Sequence, residues 1–107
     1  MQEGNVLRNK KQVGVIRRND EGVYSFQYDE HYLLDKESKP ISVNLPLQKE
    51  VFQSAYLFPF FYQLLAEGSL KELQCKEHKI DVDDDFSRLL KTAKDDTIGS
   101  ITIEEIK

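Results

Sequence analysis

Three aspartates, Asp81, Asp83 and Asp85, alternate along the chain, the spacing at which a calcium loop sets carboxylates at its first, third and fifth positions. The rest of that pattern fails. Phe86 stands where the loop needs its turn glycine and Thr92 where it needs the bidentate glutamate. The aspartates therefore read as the acidic start of a helix, where carboxylates meet unpaired backbone N–H groups. His31 and His78 are the two histidines, and only Cys75, three residues before His78, stands at anything like ligand spacing. Two ligands make a weak metal site, so no metal or other cofactor is expected. The chain contains no G-x-S-x-G elbow, P-loop or glycine-rich phosphate loop, and its carboxylates otherwise fall in runs that read as solvated. Nothing orients a reactive group or shifts its pKa, and an enzyme is not expected.

The remaining chemistry is recognition through apolar surface. Tyr56, Phe58, Phe60, Phe61 and Tyr62 place five of the eleven Phe and Tyr residues within seven positions, and Leu64, Leu65 and Gly68 follow. On a helical wheel at ~100° per residue, Phe60, Leu64, Leu57, Phe61, Leu65, Phe58 and Tyr62 fan across roughly 200°, about twice the stripe that a one-sided helix needs. One edge of that arc is in excess of what a small core uses. The competing reading is that the whole arc is core, since apolar stripes at helical spacing usually are.

With 107 residues the chain is expected to form one domain, spanning 1–107, with one modest core. Charged residues at 32% and hydrophobic ones at 39% suit a soluble globular chain. The formal net charge of −4 argues against nucleic-acid backbone binding as the main role. Arg8, Lys10, Lys11, Arg17 and Arg18 cluster locally and read as the solvated face of a hairpin. A lone cysteine forms no internal disulfide, and it reads as a packing or surface thiol. The N-terminus has no secretory pattern and no apolar run approaches the ~20 residues of a membrane span. A cytoplasmic location is expected.

These side chains must be positioned by the elements around them. Val6-Leu7, Val13 to Arg18 and Val23 to Tyr28 read as three strands of a meander, with a hairpin turn at Asn19 to Gly22. Val13 and Val15 would share one face, with Ile16 on the other, and Tyr24, Phe26 and Tyr28 fall together at period two. Asp29 could cap a single helical turn through Tyr32, Leu33 and Leu34. Ile41 to Leu47 alternates and predicts a fourth strand, with Pro46 at its exit. The aromatic stretch predicts a helix that starts near Pro59 or kinks there and stops at Gly68. Ser69 and Glu72 have capping-box spacing for a second helix through Leu73. The aspartates cap a third that buries Phe86, Leu89 and Leu90. Thr97 to Ile103 alternates as a returning strand. The expected architecture is α+β: a small antiparallel sheet, made of the β meander plus the C-terminal strand, packed against about three helices.

Five segments in order resemble the N-terminal subdomain of the HipA family of serine/threonine kinase toxins. They are Val13-Gly14-Val15; Tyr24 to Tyr28 with Tyr32-Leu33; Pro40 to Leu47; Pro59 to Gly68; and Asp96 to Ile101. The family's strand ending in Ser-Leu-Pro is matched by Asn44-Leu45-Pro46, its Leu-Leu-Pro-Glu-Gly helix end by Leu64 to Gly68, and its Asp-x-x-Gly-Ala strand by Asp96 to Ser100. Asn44, Ala66 and Ser100 depart from the family's serine, proline and alanine, and Lys94 stands where a glycine is usual.

No position here matches the family's ATP-binding or catalytic residues, so kinase chemistry is not carried over. A free-standing subdomain of this kind is similar to the small HipS-type antitoxins of split HipBST toxin-antitoxin systems. The resemblance implies an antitoxin that inhibits a separately encoded HipA-like kinase chain, in a complex with a DNA-binding HipB-like protein. The alternative is a non-inhibitory structural subunit or an excised N-terminal subdomain of a HipA-like kinase. The expected partner contact is the outer edge of the aromatic helix, Phe58, Tyr62 and Leu65, with Glu67 at its end, because aromatic anchors dominate interface energetics.

Overall fold

Gly4, Ile16, Phe26 and Phe52 occupy one row across four adjacent strands, and Ile103, Val6, Gly14 and Tyr28 occupy the next. These rows are the core face of the sheet. The computed structural model describes residues 1–93 and 100–106. In chain order its elements are β1 (Gln2–Arg8), β2 (Lys11–Arg18), β3 (Tyr24–Tyr28), α1 (Glu30–Leu34), β4 (Phe52–Ser54), α2 (Pro59–Tyr62), α3 (Gly68–His78), α4 (Asp85–Thr92) and β5 (Ile101–Ile106). The sheet is antiparallel throughout with strand order β4-β3-β2-β1-β5, so the fold is α+β.

Local chemistry accounts for the hairpins. Asn9 and Lys10 both adopt positive φ, 50° and 70°, which gives the two-residue β1–β2 turn the twist its strands require. Between β2 and β3, the Asn19 side chain accepts from the N–H groups of Glu21 and Val23, both at 2.9 Å. Gly22 completes that turn at φ 83°, a conformation costly for other residues.

The core lies between the sheet and α4. Val6, Ile16, Phe26, Phe61, Phe86, Leu89, Ile101 and Ile103 are fully enclosed. Asp84 caps α4, its carboxylate accepting from the Ser87 N–H at 3.1 Å, and Asp81 accepts from the Asp83 N–H at 2.9 Å. The aspartate run is thus helix-start chemistry, as its failed calcium pattern implied. At Gly4 a Cβ would lie 2.7 Å from Leu90 and 2.8 Å from Ile103, so only glycine lets α4 approach β1 this closely. Val13 is as buried as Ile16, while Val15 is half-buried. Strand alternation alone does not predict this: Gly14 pairs with Val6 and Gln12 with Leu7, so Val13 is the extra residue of a β-bulge that breaks the alternation.

One expected strand is replaced by a turn. Ile41 to Leu47 is not a strand: Ser42 and Leu45 close a turn, the Leu45 N–H reaching the Ser42 carbonyl at 3.0 Å. The Tyr28 hydroxyl accepts from the Ile41 N–H at 3.1 Å and donates to the Leu45 carbonyl. Backbone groups that a ladder would use are taken by this side chain. Ile41 and Leu45 are therefore buried, whereas Val43 between them is 94% exposed. The sheet edge is filled by β4 instead. Burial raises the Tyr28 pKa above its ordinary 10.0, against the smaller opposing effect of the Ile41 hydrogen bond. The returning strand is present as β5, while Thr97 to Gly99 lie outside the described residues.

Candidate partner-binding surface

Pro59 begins α2, at a position where its missing N–H costs nothing. The helix then lasts only four residues. Phe58, its N-cap, offers no side-chain acceptor, and beyond Tyr62 the hydrogen bonds tighten. Leu64 N–H reaches the Phe61 carbonyl and Leu65 N–H the Tyr62 carbonyl, each at 3.1 Å and three residues back. Such bonds turn the chain by ~120° per residue rather than ~100°, so a wheel drawn at the α-helical angle misplaces the residues after Tyr62.

Gly68 does not stop this helix; at φ 63° it starts the next one. The expected Ser69–Glu72 capping box does not form, because the N-cap is Glu67 and no side chain caps the helix. A left-handed glycine reorients the chain one residue before Ser69 could take the cap position.

The four expected contact residues separate accordingly. Phe61 sits at the centre of an aromatic cluster, with ring centroids 5.5 Å from Phe26, 5.3 Å from Phe60 and 6.3 Å from Phe58. Phe58 belongs to that cluster and is 9% exposed, and Leu65 is 8% exposed. Both are core in the free chain. Tyr62, at 46%, and Glu67 face solvent. Tyr62, Leu65 and Glu67 come together around a cleft of about 150 Å³ completed by Gly68, Lys71 and Arg88. Phe58 is not among its walls. Tyr56, at 80% exposed, adds a second surface aromatic before α2.

Arg88 is the residue that sequence reasoning missed. It lies about 200° from Phe86 on the α4 wheel and reads as solvent-facing, yet only 3% of it is exposed. Its Nη2 donates to the Ala66 carbonyl at 2.5 Å and its Nη1 to Asp85 at 3.0 Å. The guanidinium thus pins the loop between α2 and α3 onto α4, and satisfies a carbonyl that the tightened turn leaves without a helical partner. No sequence signal marks it, because the burial comes from α2 and α3 packing over the second side of α4.

The basic cluster read as one hairpin face is two. Arg17 and Arg18 lie at the open end of β1–β2, where Arg17 faces Glu3 at 3.6 Å and Arg18 meets Asp84 at 3.2 Å. The Arg18 guanidinium also stacks 5.5 Å above the Phe86 ring. Partial burial pushes Asp84 upward, but hydrogen bonds from Ser87 and the charge of Arg18 outweigh it and hold the carboxyl below its ordinary 3.8. Arg8, Lys10 and Lys11 lie at the opposite, closed end. Cys75 is buried. Among the described residues no group of three metal-ligating side chains forms, and no helix is long and apolar enough to cross a membrane.

A family model described as the HipA N-terminal domain matches residues 4–104. An uncharacterised protein of Haemophilus influenzae is 30% identical over 107 residues, a match covering 100% of this chain and 95% of that protein. Among solved structures, the N-terminal domain of HipA toxin is similar with a TM-score of 0.72 at 27% identity, over 100% of this chain and 94% of that one. The family model and the solved structure are of the N-terminal domain of HipA and not of its kinase domain.

Proposed function

We propose, because the chain belongs to the HipA N-terminal domain family, that it acts as an antitoxin, binding a separately encoded HipA-like serine/threonine kinase chain and holding it inactive. The observation that carries this reading is the length of the relative: the match fills 95% of the Haemophilus influenzae protein, which leaves that protein no room for a kinase domain. In that protein the domain stands with almost nothing attached, which fits a domain that meets its partner in trans. The chain itself performs no catalysis in this reading, and a DNA-binding HipB-like protein completes the complex.

The α2–α3 corner is the proposed contact. Tyr62 offers an exposed aromatic beside a cleft, the type of side chain that dominates interface energetics when a partner encloses it. Glu67 supplies a charge at the cleft mouth. Phe58 and Leu65 act from beneath, fixing the backbone that presents Tyr62. This arrangement favours inhibition by a preformed surface, since Arg88 already holds the corner in place.

Co-expression with a HipA-like kinase lacking this domain, scored as growth, tests the reading. Wild-type chain is expected to restore growth and Tyr62→Asp to fail while remaining folded. Undiminished toxicity with the two proteins still associated would replace the antitoxin by a non-inhibitory subunit.

A further inference from the structure

The closed end of the β1–β2 hairpin carries charge that the rest of the protein does not balance. Arg8 and Lys11, flanking the turn that holds Lys10, meet Lys39 of the loop after α1 there, with the carboxylates of Asp35 and Glu37 beside them, in a chain of net charge −4. Arg8 and Lys11 are direct cross-strand partners, an arrangement that costs stability when both carry the same charge. Only Lys11 is paired, to Asp35 at 2.9 Å; among the described residues no carboxylate lies within ion-pair distance of Arg8, Lys10, Lys36 or Lys39.

Arg8, Lys11 and Lys39 line a cleft of about 350 Å³ there, with Asp35 and Glu37 also in its wall. Tyr32 organises it: its hydroxyl accepts from Arg8 Nη1 at 3.1 Å and from the Lys39 N–H at 3.3 Å, and donates to the Lys39 carbonyl at 2.5 Å. Tyr32 is itself 4% exposed and stacks on Tyr28, with ring centroids 5.9 Å apart. The guanidinium and the Lys39 backbone are therefore held before any ligand arrives, which lowers the ordering cost of binding. Ser38, also in the cleft wall, has an enclosed hydroxyl with no hydrogen-bond partner among the described residues. Such a group normally has one.

The geometry points to a binding site for a phosphate-type oxyanion in this cleft, held by Arg8 and Lys39, with Ser38 turning its hydroxyl to donate. A planar guanidinium and an ammonium lining one cleft match the oxygens of a phosphate. The anion comes either as free phosphate or as the phosphate chain of a nucleotide. This site lies at the opposite end of β1 from Arg18 and Asp84, and it is independent of the kinase contact proposed above.

The test is an amide chemical-shift titration of the full chain with sodium phosphate near neutral pH, ionic strength being held constant with sodium chloride. Saturable shifts at Asn9, Lys10, Ser38 and Lys39 are expected, with a dissociation constant of about 1 mM or below. Lys39→Gln, an exposed and structurally silent change, is expected to raise it roughly tenfold; Arg8→Gln should do the same, and Lys49→Gln, outside the cleft, should not. A parallel titration with ATP separates the sources: tighter binding than phosphate through the same residues assigns a nucleotide, and equal binding assigns phosphate alone. Shifts that chloride reproduces, that fail to saturate, or that persist unchanged in Lys39→Gln overturn the proposal.

Discussion

Helices α3 and α4 are neighbours in sequence and in space, but they solve different problems. In α4, eight residues long, Phe86, Arg88, Leu89 and Leu90 are all buried, and a capping aspartate closes its start. Eleven-residue α3 buries Cys75 alone and has no side-chain cap. Its Leu70 and Leu73 lie about 140° and 160° around the axis from Cys75 and are 52% and 53% exposed. An isolated helix of that length is marginal in water. It is held here by its ends: the Arg88 anchor just before it, and a left-handed Lys79 whose N–H returns to the Lys76 carbonyl after it. The contrast teaches that α4, the sheet and the buried side of α2 supply the stability, while α3 and the outer side of the α2–α3 corner are surface carried on that body.

Substitutions can break or sharpen this division. Phe61→Ala empties the centre of the aromatic cluster and should cost about 3–5 kcal/mol, read as the loss of folding stability in urea. A small effect would mean that the corner is not anchored through Phe61. Arg88→Met keeps bulk but strands the part-buried Ala66 carbonyl, a loss of about 1–3 kcal/mol. That variant should also speed proteolysis between α2 and α3 more than elsewhere, which distinguishes a local pin from general core packing.

Asp84→Ala removes the α4 cap and should cost about 1 kcal/mol near neutral pH. The sign with pH follows from its lowered pKa. The ionised carboxylate contributes fully above the ordinary aspartate value and loses that contribution as pH falls through the folded value, so wild type and variant should converge in acid. Stability curves that stay parallel below pH 3.8 would remove Asp84 as the capping charge. Smallest of all, Leu70→Ser with Leu73→Ser should stay within about 0.5 kcal/mol of wild type. A larger loss would show that α3 is packed more like α4.

The sequence made the sheet and α4 legible because in both the pattern and the burial agree. Tyr24, Phe26 and Tyr28 alternate and face the core, while Phe86, Leu89 and Leu90 share a face behind an acidic cap. Ile41 to Leu47 alternates equally well but folds as a turn, because a tyrosine hydroxyl from β3 captures the backbone groups a ladder would use. In the candidate site, Tyr62, at the outer edge of the helical wheel, is exposed, as is Glu67 beyond the wheel, whereas Phe58 and Leu65, expected on the same edge, are buried. The wheel assumed one continuous helix from Leu57 to Leu65, and the chain makes one α-helical turn followed by tighter ones. Arg88 was illegible because its burial is imposed by elements that precede it in the chain.

The most direct test of the account is the affinity of the purified chain for a HipA-like kinase lacking this domain, wild type against Tyr62→Asp, with melting temperature measured on both. The account predicts that Tyr62→Asp weakens binding roughly tenfold or more while the melting temperature stays the same. Unchanged affinity in a folded variant would contradict the claim that the α2–α3 corner is where the partner binds.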